Sequence, residues 1–251
     1  MGSAVTEHLA SLGYRVFALD INGEDKGENI SFIKADVTSE QSLLSALAEL
    51  KASTDRLDAI LHFAGIYMLD SLLEIESESF DKIMSINVRG AYLVNKIFSP
   101  LLSAGGRILI TTSELAPLDP LPFTGIYAVS KAALEKYAYS LAMEMQLLDI
   151  RVSVLRAGAT YTKMLGASIA ALDRFCAKTE LYSCNAKRFK SIVESVEAKS
   201  IPAVKIAEKS EKILRAKRPK FVYAINRNPL LRLLNMLPKR VQLWIIKKIL
   251  K

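Results

Sequence analysis

Tyr127 and Lys131 stand four residues apart, and Ser113 precedes Tyr127 by fourteen. On a helix, that i, i+4 spacing puts a phenol and an ammonium on one face. Ser113 follows the apolar run Arg107-Ile108-Leu109-Ile110-Thr111-Thr112, which reads as a buried strand with the Ser113 hydroxyl at its carboxyl end. A hydroxyl, a phenol and an amine converging at one point can do proton chemistry on a carbonyl or an alcohol. Taken alone, the Tyr/Lys pair also fits an ordinary amphipathic helix.

Positioning these groups falls to elements that alternate along the chain. Helix is expected over 3–12, 39–50, 77–102 with a break near Pro100, 125–148 and 202–217. Strands are expected over 15–20, 30–35, 59–65, 107–112, 151–156 and 220–224. Strands alternating with helices imply an α/β fold, a doubly wound parallel sheet covered on both faces. Ligands of such sheets bind beyond the carboxyl ends of the strands, where Asp20, Asp36, Gly65, Ser113 and Gly158 all fall. Asp20 would accept hydrogen bonds from the adenosine ribose hydroxyls and repel a 2′-phosphate, favouring NAD over NADP without excluding NADP. No arginine follows it directly, although Lys26 stands nearby. The alternative is a turn-forming aspartate, since Asn22-Gly23 comes next. Asp36 would accept from an adenine amino group with Val37 packed on the ring, or else help to cap the helix after it.

These pieces together resemble the short-chain dehydrogenase/reductase family over nearly the whole chain. The resemblance rests on Ala35-Asp36-Val37, Ala64-Gly65, Asn87 within Ile86-Asn87-Val88-Arg89-Gly90, Ser113 and Tyr127-x-x-x-Lys131. Ala157-Gly158 and Thr162-Lys163-Met164 are weaker matches. The resemblance implies a catalytic group of Tyr127, Lys131, Ser113 and Asn87. Tyr127 would be the general acid/base, and Lys131 would lower its pKa and hold the nicotinamide ribose. Ser113 would donate to the substrate oxygen, and Asn87 would hold a water linking Lys131 to solvent. A dinucleotide would then touch Gly2, Asp20, Asp36, Val37, Ala64, Gly65, Tyr127, Lys131, Gly158 and Thr162. The family opens with a strand and a Thr-Gly-x-x-x-Gly-x-Gly turn. Gly2 aligns with the last of those glycines, so the expected sheet lacks its first strand and the natural start is expected upstream. His62-Phe63 stands where the family has Asn-Asn, one of which braces the sheet, and Ala157 where it has proline.

Charge sets the C-terminal part apart. Residues 1–186 hold 16 basic and 22 acidic side chains, residues 187–251 hold 18 and 4, and the net charge is +8. Two domains are expected: a Rossmann-like body over 1–226, with 160–200 as a mobile polar substrate lid, and a basic amphipathic tail over 227–251. Tail leucines, isoleucines and Trp244 alternate with Arg232, Lys239, Arg240, Lys247, Lys248 and Lys251. That pattern suits peripheral contact with a membrane surface or a partner, and equally a tail folded over its own core. Similar tails occur in members resembling 17β-hydroxysteroid and retinol dehydrogenases, which points to a lipophilic substrate. No aromatic platform accompanies the cations, so nucleic acid is not an expected partner. Two cysteines without metal spacing and two histidines argue against a metal site and for a reduced, cytoplasmic setting. No apolar stretch reaches the roughly 18 residues of a spanning helix. A homodimer or tetramer is expected by analogy. The competing reading is a non-catalytic Rossmann-like binding or oligomerisation protein.

Overall fold

A computed structural model describes residues 1–24, 27–195 and 200–251, so Lys26 and residues 196–199 of the expected lid lie outside the described residues. Helix α1 (Gly2–Ser11) leads to strands β1 (Val16–Asp20) and β2 (Ile30–Lys34), helix α2 (Glu40–Lys51) and strand β3 (Leu57–His62). Ser39 caps α2 by accepting from the Ser42 amide. The helix expected over 77–102 is instead composite. It comprises α3 (Ser77–Met84), a π-helical turn (Ser85–Arg89), α4 (Gly90–Phe98) and a 3₁₀ turn (Ser99–Leu101) containing Pro100. Strand β4 (Leu102–Ser113) is longer than its apolar run suggests and delivers Ser113 at its end. Helix α5 (Gly125–Met145) follows, then β5 (Arg151–Ala157), the short strand β6 (Thr160–Tyr161), α6 (Lys163–Lys178), α7 (Ser183–Ser195) and the short strand β7 (Ile201–Pro202). Helix α8 (Ala203–Leu214), strand β8 (Val222–Ile225) and helices α9 (Pro229–Asn235) and α10 (Lys239–Leu250) complete the order.

The main sheet is parallel in the order β3-β4-β5-β8. Alternation along its strands feeds two cores. Ile108, Ile110, Val152 and Val154 face α2, α4 and α5, while Leu109, Leu155 and Ala157 face α1 and α8. Helices on both faces make this a doubly wound, Rossmann-like α/β fold. Its sheet is interrupted. Strands β1 and β2 pair in parallel with each other but not with β3. Phe17 and Leu19 nevertheless pack into the core containing Ile60, and Val16 into the core beside Leu61 and Phe63. The two sheets are thus held between shared helical layers, and the backbone edges of β1 and β3 carry no strand hydrogen bonds to one another.

His62 takes over a bracing role at the end of β3. Its buried imidazole hydrogen-bonds Asn95 of α4 at 3.0 Å, and the Asn95 amide donates to the Tyr137 hydroxyl of α5 at 3.1 Å. This chain ties strand to two helices, and burial holds the imidazole below its ordinary pKa.

Two sequence expectations change in degree. The 160–200 segment is not merely polar: Ala171, Leu172 and Phe175 of α6 join Ala186 and Phe189 of α7 in a core of their own with Leu69, Phe123 and Leu250. Segment 227–251 folds against the body, as the alternative of a tail over its own core has it. The Asn228 amide donates to Glu114, Lys239 pairs with Asp119, and the Asn185 side chain donates to the Leu250 carbonyl.

Candidate active site

Parallel pairing of β4 with β5 carries Ser113 to the same level as Ala157, and α5 lays Tyr127 and Lys131 over that edge. All three side chains are buried. Burial pushes the Tyr127 phenol up to about 12, and a hydrogen bond from Ser113 opposes the rise. Lys131 is held down to about 8 by loss of water around its ammonium. Its Nζ donates to the Thr111 carbonyl at 3.4 Å and lies 5.9 Å from the Tyr127 ring centroid. Proximity of a cation to a phenol is the condition for ionising the phenol nearer neutrality. Among the described residues no carboxylate pairs with this ammonium.

Asn87 sits in the π-helical turn, a local widening that often accompanies function. Its Oδ1 accepts from the Ile66 amide at 2.8 Å, and its Nδ2 donates to the Ile66 carbonyl and to Ser130 Oγ, both at 3.0 Å. Both amide hydrogens are therefore engaged in tying the loop after β3 to α5. The side chain thereby braces the two segments that flank Lys131. Gly65 is essential to this crowding: a Cβ there would lie 3.1 Å from Asn87 Oδ1 and 3.2 Å from Lys131 Nζ.

The remaining expected residues fall along the strand ends. Asp20 is exposed at the end of β1, where it accepts weakly from the Asn22 amide at 3.4 Å. Asp36 is exposed and bonds the amide and hydroxyl of Thr38, which lowers its pKa. It serves the turn before α2 while Ser39 provides the cap. Val37 packs against Gly90, whose Cβ position is 2.8 Å from Val37 Cγ2. Gly2 opens α1 beside Phe63, where a Cβ on the glycine would lie 3.3 Å from Phe63 Cβ. Ala64 is exposed beside Gly65. Gly158 could not be otherwise, since a Cβ would meet the Asn226 carbonyl oxygen at 1.8 Å. Thr162 precedes α6 and donates to the Thr160 carbonyl at 3.4 Å. The side chains of Lys163 and Met164 lie outside the described ones.

Residues 1–194 match the family model described as enoyl-(acyl carrier protein) reductase, a short-chain dehydrogenase/reductase type. The chain belongs to the short-chain dehydrogenase/reductase family. It is 29% identical over 175 residues to cyclopentanol dehydrogenase from Comamonas testosteroni, covering 65% of this chain and 70% of that protein. It is 27% identical over 179 residues to rat (Rattus norvegicus) estradiol 17-beta-dehydrogenase 2, covering 66% of this chain and 47% of that protein. Among solved structures, a short chain dehydrogenase family protein from Francisella tularensis superposes with a TM-score of 0.74 at 25% identity, covering 89% of this chain and 91% of that one. An alcohol dehydrogenase from Thermococcus sibiricus, complexed with 5-hydroxy-NADP, shares the fold with a TM-score of 0.72 at 19% identity, covering 90% and 93%.

The residues of this short-chain dehydrogenase/reductase fit the nicotinamide half of a dinucleotide. A buried ammonium with one long hydrogen bond and a glycine cradle beside it are what ribose hydroxyls need. Toward the phosphates the described chain offers Gly2 at the start of α1.

Sequence reasoning missed three neighbours of this site. Tyr67 lies with its ring 4.8 Å from that of Tyr127, and burial pushes its phenol up to about 12. Phe123 adopts φ 66°, unusual for an aromatic residue, and is clamped by Phe175, Tyr182 and Phe189 at 4.6 to 5.4 Å. Glu114, next to Ser113, has its carboxyl pKa raised by burial. All three belong to loops, where no periodicity signals a partner.

Proposed function

We propose that this chain interconverts a secondary alcohol and a ketone on a lipophilic, steroid-, retinoid- or lipid-like substrate with NAD, in a cytoplasmic setting. The observation that carries the reading is the buried group of Tyr127, Lys131 and Ser113. When bound, a nicotinamide dinucleotide supplies the hydride donor or acceptor. Tyr127 moves the proton: its hydroxyl gives it to a forming alkoxide or, as phenolate, takes it from an alcohol. Lys131 lowers the cost of that phenolate and orients ribose hydroxyls. Ser113 donates a hydrogen bond to the substrate oxygen as charge develops there. Ile66, Tyr67, Met68 and Leu115 surround Tyr127, which supports an apolar substrate. Asp20, exposed at the end of β1, supports NAD over NADP.

Titration of the chain with NADH and NADPH, followed by nicotinamide fluorescence, tests the cofactor assignment. Tighter binding of NADH is expected, and Asp20→Ala should narrow the difference by about tenfold or more, from the roughly 1.5 to 3 kcal/mol of a hydrogen bond to a charged group. Equal affinity for both that Asp20→Ala leaves unchanged would remove Asp20 from the role. The interruption between β1 and β3 favours a second reading, a non-catalytic Rossmann-like binding or oligomerisation protein. Absence of any dinucleotide binding would support it.

A further inference from the structure

The last two helices place one apolar and strongly cationic face at the surface. Residues 227–251 contain seven basic and no acidic side chains. Helix α10 turns Gln242, Ile246 and Leu250 inward, toward α7 and the lid core. Its opposite face brings Arg240, Lys247, Lys248 and Lys251 within one or two turns of Trp244, which is 60% exposed. These residues share a helical face because they stand 4, 3, 4 and 7 positions from Trp244. Trp244, Lys247, Lys248 and Lys251 line one shallow hollow. Lys247 and Lys251 also line a second, of about 400 Å³, with Leu72, Leu73 and Phe123. The two hollows therefore adjoin on one rim. Leu72 and Leu73 are exposed there, and Leu243 of α10 is 71% exposed. Beside them, α9 exposes Leu230 and Leu233, one turn apart.

Among the described residues, Lys239 is the tail cation held in an ion pair, with Asp119. Among the described residues, no carboxylate lies within salt-bridge distance of Arg240, Lys247, Lys248 or Lys251. A solvated basic face alone would not require an exposed tryptophan and leucines interleaved with its charges. Amphipathic tryptophan with flexible lysines suits the boundary between lipid headgroups and acyl chains. No helix among the described residues is long and apolar enough to cross a membrane, so contact along the surface is the geometry available. We propose that α9, α10 and the Leu72-Leu73 loop form a docking face for an anionic lipid surface. Leu72 packs over Gly125, two residues before Tyr127, so docking would bring lipid up to the start of the helix that bears the Tyr/Lys pair. The docking itself does not depend on the enzymatic reading.

Trp244 is the only tryptophan and hence a built-in probe. The full chain is mixed with phosphatidylcholine vesicles with and without phosphatidylserine, and tryptophan emission and co-sedimentation are read together. The expected result is a blue shift and pelleting with the phosphatidylserine vesicles, weakened by added salt. Lys247→Glu with Lys248→Glu should weaken this binding by about 30-fold or more, from roughly fivefold per lysine lost with repulsion by the new carboxylates added. Both residues are exposed, and an unchanged circular dichroism spectrum verifies the fold. The proposal is overturned if emission does not shift, or if the double variant binds as the parent does. It is equally overturned if an RNA oligonucleotide, or self-association without vesicles, buries Trp244 while phosphatidylserine vesicles do not.

Discussion

Lys131 illustrates how a single side chain can weaken a fold and serve a reaction. Its ammonium is fully buried with one hydrogen bond of 3.4 Å, and its pKa falls from 10.5 to about 8. That difference corresponds to about 3 kcal/mol of folding free energy. The sign follows from proton counting. Below about pH 8 the folded and unfolded chains both carry the proton and the full cost of burial applies. Above pH 10.5 neither carries it and the cost is gone. Lys131→Met should therefore raise the stability of the ligand-free protein by about 1–3 kcal/mol at neutral pH, and the gain should shrink as the pH approaches 10.5. Thermal unfolding over that range is the measurement. A Lys131→Met protein less stable than the parent at pH 7 would contradict the desolvation account. The same substitution should abolish turnover, since nothing else among the described residues brings a cation to the Tyr127 ring. The meeting of Tyr127, Lys131 and Ser113 was legible in the sequence because spacing on one helix and position after an apolar strand are local properties, whereas Asn87 came from the family resemblance alone. That Asn87 would spend both amide hydrogens on Ile66 and Ser130 was not legible, since those partners lie 21 and 43 residues away.

At the scale of elements, the alternating order and nearly every strand could be read from apolar runs bounded by glycine and charge. The π-helical turn over Ser85–Arg89 could not, because a one-residue widening leaves the apolar period almost unchanged. The short strands β6 and β7 escaped notice for a related reason, since two residues carry no period at all. The sheet interruption has a measurable consequence. Strands β4 and β5 are paired on both sides, whereas β1 is bonded only to β2 and β3 only to β4. Amides with a single strand neighbour open at lower free energy. Hydrogen exchange should accordingly be slowest in β4 and β5 and faster by about tenfold or more in β1 and β3. Equal protection across all four strands would show that the edges of β1 and β3 are paired in solution.

For the whole molecule, the uneven charge was plain in the sequence, but how the tail joins the body was not. Helix α10 contributes Leu250 to the lid core and leaves its cationic face outward, which is the expected alternative of a tail folded over its own core. Assembly also belongs to this scale. Helix α5 exposes Val129 and Met143 on one side, with Leu147 following in a 3₁₀ turn over Gln146–Leu148, and α4 exposes Tyr92. Such apolar area favours self-association, and a homodimer or tetramer is expected from light scattering on the eluting protein. Met143→Glu should shift it toward monomer by burying an unpaired charge. A parent protein that is monomeric at micromolar concentration would remove this interface from the account.

The central claim is that Tyr127 is the acid/base of a dehydrogenase site. Steady-state oxidation of a lipophilic secondary alcohol with NAD, compared between the parent and Tyr127→Phe, tests it most directly. Phenylalanine keeps the ring against Tyr67 and removes only the hydroxyl. The account predicts that kcat falls by about 10²–10⁴ while NADH affinity stays within about threefold, less than the 1 kcal/mol typical of one hydrogen bond. A Tyr127→Phe enzyme turning over at the parent rate would contradict it.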